Sequence, residues 1–159
     1  MNQEYGAMVR CDIHRCTGCR ACELVCVQSH GVAGATVGTL TGPVKPRLFI
    51  SGAGETPVLC RHCEDAPCLN ACPRGAVTRV AGQVCLDGEK CGGCGETPCV
   101  SACPFGAIRP AVEPVKCDLC GGDPGCVRAC PNGALTLVHP EKAREEKNAR
   151  ALAWLGRMV

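Results

Sequence analysis

Apolar residues in this chain come in short runs broken by glycine, proline and cysteine. Ala7-Met8-Val9, within a stretch ending at Cys16, predicts a short strand that turns at its end. Arg20 to Gln28 predicts about two turns of helix. A long Gly-, Pro- and Thr-rich connector follows, from Gly31 to Pro57, and only Arg47-Leu48-Phe49-Ile50 within it reads as a strand. Val77-Thr78-Arg79-Val80, a turn at Gly82, and Val84-Cys85-Leu86 predict a hairpin. The tail, Glu141 to Val159, changes period. Ala151, Leu152, Leu155, Met158 and Val159 recur at helical spacing, Glu146 and Arg150 form an i,i+4 pair, and Trp154 lies near the end. An amphipathic terminal helix is expected there, packed on its own domain or on a partner. Small strands and short helices in this order give an α+β class.

Composition says what must hold such short elements together. Two Phe, one Trp and one Tyr in 159 residues cannot supply an aromatic core, whereas the chain has 18 Cys. Bound metal can substitute, because ligation free energy becomes folding free energy. A net charge of +2 is too small to point to nucleic acid or an anionic membrane. Met1-Asn2-Gln3-Glu4-Tyr5 has neither an apolar leader nor a twin-arginine pair, and no apolar run approaches membrane-spanning length. A cytoplasmic, reducing location is expected, in which thiolates serve metal rather than disulfides.

Sixteen of the cysteines form four quartets. Cys16, Cys19, Cys22 and Cys26 are spaced 3, 3 and 4. Cys60, Cys63, Cys68 and Cys72 are spaced 3, 5 and 4, and Cys91, Cys94, Cys99 and Cys103 repeat that spacing. Cys117, Cys120, Cys126 and Cys130 are spaced 3, 6 and 4. The last three quartets end alike, as Cys72-Pro73-Arg74-Gly75-Ala76, Cys103-Pro104-Phe105-Gly106-Ala107 and Cys130-Pro131-Asn132-Gly133-Ala134. Quartet one departs, with Cys26-Val27. The approaches to quartets one, three and four also align, each with an acid (Asp12, Asp87, Glu113) and a base (Arg15, Lys90, Lys116) before the first cysteine. One supersecondary unit is used repeatedly.

Three close cysteines and a fourth before proline are the ligand pattern of a [4Fe–4S] cluster, in which the fourth cysteine reaches the neighbouring cluster. Short Cys-x-x-Cys steps let one loop wrap several irons, and Gly18, Gly92, Gly93 and Gly121 ease the approach of backbone amides. Proline after the fourth cysteine stops the preceding helical turn. Zinc ribbons use two pairs joined by a longer spacer, and disulfide scaffolds give no reason for quartets. Cys11 and Cys85 fall outside the quartets and read as small apolar strand residues. His14, His30 and His62 read as surface or supporting residues, and Asp12, Glu64, Asp65, Asp87 and Glu113 as turn residues. No nucleotide-binding glycine fingerprint, P-loop or nucleophile–base pair is present, so no catalytic residue is assigned.

From residue 8 to 138 the pattern resembles the four-cluster ferredoxin-like electron-transfer subunits, the B-subunit type found with dimethyl sulfoxide reductase and formate dehydrogenase. Cys60-Arg61-His62-Cys63-Glu64-Asp65-Ala66-Pro67-Cys68 is especially similar. The resemblance implies two bacterial-ferredoxin-like (2[4Fe–4S]) modules, the second nested inside the first. It implies four clusters, held by Cys16, Cys19, Cys22 and Cys130; by Cys60, Cys63, Cys68 and Cys103; by Cys91, Cys94, Cys99 and Cys72; and by Cys117, Cys120, Cys126 and Cys26. The outer half would comprise residues 1–46 and 108–140, the inner half 47–107, and the terminal helix 141–159. Sequential pairing of quartets is also compatible with the cysteines, and the long connector favours nesting.

The function so implied is the relay of single electrons between a catalytic oxidoreductase subunit and a further donor or acceptor, within a hetero-oligomer. Short connectors and Cys16-Thr17-Gly18-Cys19-Arg20-Ala21-Cys22-Glu23 make the chain similar to the small members that accompany tungsten or molybdenum aldehyde oxidoreductases. Hydrogenase, formate dehydrogenase and carbon monoxide dehydrogenase are alternative partners. A freely diffusing polyferredoxin and a zinc-stabilised interaction module are the rival readings.

Overall fold

The structure, a computed structural model, describes residues 6–31, 45–51, 57–92, 94–111 and 114–157. Most of the 31–57 connector, Gly93 and Glu113 lie outside these residues. Strand β1 (Met8–Cys11) leads into quartet one and pairs antiparallel with β6 (Leu135–Val138), which leaves quartet four. Met8 stands opposite Val138 and Cys11 opposite Leu135. Two more ribbons complete the β structure: β2 (Phe49–Ile50) with β3 (Pro57–Val58), and β4 (Val77–Val80) with β5 (Gln83–Leu86). The 47–50 strand is thus shortened to its apolar half, and its partner β3 has no period of its own in sequence. At the β4–β5 turn Ala81 and Gly82 both have positive φ, 46° and 77°, as a two-residue I′-type hairpin requires.

The helices are short and pair in the same way. Helix α1 (Ala21–Ser29) packs beside α5 (Gly125–Arg128), and α2 (Pro67–Asn70) beside α4 (Pro98–Ala102). Gly125 permits the first pairing, since a Cβ there would lie 2.8 Å from Val25 Cγ1. Pro67 and Pro98 open their helices at the position where a missing N–H costs nothing. Helix α3 (Gly88–Cys91) is capped by Asp87, whose Oδ1 accepts from the amides of Glu89 (3.1 Å) and Lys90 (3.3 Å).

Two small cores result. One gathers Ala7, Val9, Leu48, Leu119 and Leu135 around Cys22, Cys26 and Cys126. The other gathers Ala66, Val77, Val84 and Ile108 around Cys68 and Cys99. Leu48 belongs to the first core and Ile108 to the second. Each core contains cysteine in place of aromatic bulk. The Gly6 amide donates to Gly82 O, in the β4–β5 turn, at 3.0 Å.

Helix α6 spans Pro140–Leu155, and Met158 and Val159, two of the apolar positions expected on its face, lie outside the described residues. Its large apolar residues crowd at one end, Leu152, Trp154 and Leu155, rather than forming a stripe, and they are 69%, 58% and 54% exposed. No described side chain of Glu141–Leu155 is buried, so packing on its own domain is not what the fold shows. No helix among the described residues is long and apolar enough to cross a membrane.

Candidate metal centres

Each quartet is shaped by local backbone. After the fourth cysteine, Cys-Pro-x-Gly makes a turn with proline at its second position, in which the amides of Gly75, Gly106 and Gly133 donate to Cys72 O, Cys103 O and Cys130 O at 3.3, 3.1 and 3.1 Å. Those three glycines have φ of 61°, 60° and 56°, where a Cβ is strained. The turn directs the next amide back at sulfur. Ala76, Ala107 and Ala134 donate to the Sγ of Cys72, Cys103 and Cys130 at 3.3, 3.3 and 3.2 Å. Burial raises the thiols of Cys72 and Cys130, yet the surrounding amides outweigh it and bring both below the ordinary thiol value.

Quartet one has no such turn. The amide reaching Cys26 Sγ comes instead from Arg47, at 3.2 Å, across the connector. Arg47 is held there by Asp118 Oδ2, 2.6 Å from its Nη1. Asp118 Oδ1 also accepts from the Cys120 amide (2.9 Å) and from His30 Nε2 (3.2 Å), while His30 Nδ1 donates to Cys26 O (2.7 Å). The hydrogen bonds from Asp118 and then Cys26 raise His30 to about 10, against the effect of burial. Burial alone would raise Asp118, but His30, the Cys120 amide and Arg47 hold it well below the usual carboxylate range. The ligating atoms of His30, Asp118 and Cys120 lie within 4.8 Å of one another. The Arg47 guanidinium already supplies their cation, so they form a brace rather than a separate ion site.

Inside the Cys-x-x-Cys loops, the residue before the second cysteine has positive φ: Gly18 at 67°, His62 at 45° and Leu119 at 57°. Glycine explains only the first; Gly121 also has φ 71°, whereas Gly92 is ordinary at −50°. His62 and Leu119 are held in the strained region by their own burial, and their amides donate to Cys60 Sγ (3.4 Å) and Cys117 Sγ (3.5 Å). His62 Nδ1 accepts from the Val84 amide at 3.2 Å, and its buried Nε2 has no partner among the described residues. Burial, then the charge of Lys116, lowers His62 to about 4. Its neighbourhood to a cysteine loop was legible in sequence; its burial was not.

The side chains converge on hollows. One is lined by Cys16, Cys19, Cys22 and Cys130, a second by Cys60, Cys63, Cys68 and Cys103, and a third by Cys72, Cys91, Cys94 and Cys99. Around Cys126 lie Cys117, Cys26 and Cys120, and also Cys22, which belongs to the Cys16 hollow. Cys11 lies outside these sets but beside Cys16, and it packs as a partly buried core residue; Cys85 is a half-buried residue of β5.

The donor set suits an iron–sulfur group. Thiols surround each hollow, backbone amides aim at sulfur, and only Cys19 among the quartet cysteines is exposed. Burial pushes the thiols of Cys22, Cys117 and Cys126 up to about 12, so each needs a soft cation to hold it ionised.

Cysteine hollows of this kind on a small α+β scaffold define an iron–sulfur protein. Residues 54–140, just over half of the chain, match the 4Fe-4S dicluster domain, and the chain belongs to that family. It is similar to the electron transport protein HydN of Escherichia coli (strain K12), with 42% identity over 82 residues, 50% of this chain and 47% of that protein. It is also similar to formate hydrogenlyase subunit 2 of the same strain, with 40% identity over 76 residues, 48% of this chain and 35% of that protein. The chain spans about half or less of the length of these curated relatives.

Proposed function

We propose that the chain is an electron-transfer subunit carrying four [4Fe–4S] clusters, two in an outer ferredoxin-like half and two in a half nested within it. The observation that carries this is the lining of the hollows, where Cys130 joins quartet one's first three cysteines and Cys103 joins quartet two's. Pairing of β1 with β6 and of α1 with α5 supports the nesting, because it links the first cysteine unit to the last. Each cluster, when bound, takes up and releases one electron without substrate chemistry. The chain's own contribution is to hold sixteen thiolates, aim amides at them and keep most of them from water.

Neighbouring hollows interact. The Cys60 charge acts on Cys117 across the seam, and the Cys22 charge acts on Cys126 within the outer half. The relay we infer therefore runs from the Cys72/Cys91/Cys94/Cys99 hollow, through the Cys60 hollow and the Cys117 group, to the Cys16 hollow. Its partners are a catalytic oxidoreductase subunit and a second redox protein, in a cytoplasmic complex. A tungsten or molybdenum aldehyde oxidoreductase is the partner that quartet one's sequence favours. A formate- or hydrogen-linked enzyme is the second reading, favoured by the likeness to the formate hydrogenlyase subunit. Anaerobically purified protein should hold about 16 irons per chain, with a broad visible band that bleaches on reduction. Clearly fewer irons, or colourless zinc protein, would overturn the reading. Co-purification with one catalytic subunit separates a dedicated subunit from a diffusing carrier.

A further inference from the structure

Lys116 precedes the first cysteine of quartet four, where the sequence repeat places a base in three of the four units. Arg15 and Lys90, its counterparts, are exposed, but Lys116 is only 3% exposed. Its Nζ donates to Val84 O on the inner hairpin and to Cys117 O at 3.1 Å, so it crosses the seam between the two halves. It also lines the hollow formed by Cys60, Cys63, Cys68 and Cys103. Among the described residues no carboxylate forms an ion pair with it. A buried cation without a carboxylate is costly, and the compensating negative charge available on both sides is that of cysteine thiolates. Consistent with this placement, its charge acts on Cys63, Cys68 and Cys117.

We propose that Lys116 is a tuning residue at the midpoint of the relay, raising the reduction potential of the centres on either side of the seam. This rests on the four-cluster reading above. Reduction adds one negative charge to a centre already surrounded by thiolates, with the electron coming from the neighbouring centre and no proton required. A fixed cation nearby stabilises the reduced state more than the oxidised one, and low local dielectric magnifies the difference. The exposed bases before Cys16 and Cys91 are screened by water and contribute far less.

The test is an EPR-monitored redox titration of the purified protein and of Lys116→Gln, Lys116→Met and Lys116→Arg, with iron counted in each. Iron content of the unaltered protein decides whether the four-cluster reading stands, independently of any variant. With iron retained, Gln and Met variants should shift at least one midpoint to more negative potential, and Arg should leave it closer to the original. Unchanged midpoints in iron-replete Gln and Met variants would overturn the proposal. Loss of iron from both would overturn it too, by showing that Lys116 is a structural pin. Gln keeps a donor for Val84 O, so a shift in Gln as well as Met separates the charge from the hydrogen bond.

Discussion

The amide of Arg47 donates to Cys26 Sγ at 3.2 Å, doing for quartet one what a local alanine amide does for the other three. The same residue's guanidinium is tied to Asp118, one residue beyond Cys117. Arg47 thus joins the connector, quartet one and quartet four at one point. The missing proline after Cys26 is compensated by tertiary structure.

Arg47→Pro removes that donor, whereas Arg47→Ala keeps the amide and loses only the side chain. The lost hydrogen bond is worth about 0.5–1.5 kcal/mol. One midpoint should fall by tens of millivolts in Arg47→Pro, on a scale of about 59 mV per tenfold for a one-electron couple. Arg47→Ala should move it less. Redox titration of both variants checks this, and equal shifts would assign the effect to the guanidinium instead.

Nested pairing has an arithmetic consequence. Cys16→Ser and Cys130→Ser should each lose about 4 irons, and the double variant should lose no more than either alone, because both act on one cluster. Cys16→Ser with Cys26→Ser should lose about 8. Iron analysis of the Cys16/Cys130 double variant distinguishes this from sequential pairing, in which Cys130 serves a different cluster from Cys16 and the double variant loses about 8.

Ala81 is exposed and has φ 46° in the β4–β5 turn. Ala81→Gly should stabilise the protein by roughly 0.5–1 kcal/mol, the left-handed penalty of a Cβ less glycine's extra unfolded-state freedom. At this chain length that is about 1–4 °C in apparent melting midpoint. A fall would show that the turn is not strained.

Removal of residues 141–159 should leave iron content unchanged and alter stability by no more than about 0.5 kcal/mol, since no described side chain of that segment is buried. Iron analysis and thermal melting of the truncated chain measure both. Loss of iron would place α6 within the fold.

What could be read along the chain was local. Quartet spacing, the Cys-Pro-x-Gly-Ala turns, α1 and the β4–β5 hairpin each depend on residues a few positions apart, so composition and spacing encode them directly. Eighteen cysteines with four aromatics likewise announced metal as the source of the core. Other features arose from contacts between distant residues, which leave no period in sequence. Arg15, Lys90 and Lys116 are interchangeable in the repeat, yet only Lys116 is buried, because only it meets the β4–β5 hairpin at Val84. His62 is buried for the same reason, by the Val84 amide. The tail has helical spacing, but a helix becomes a packed element only when another surface covers it, and none of the described residues does.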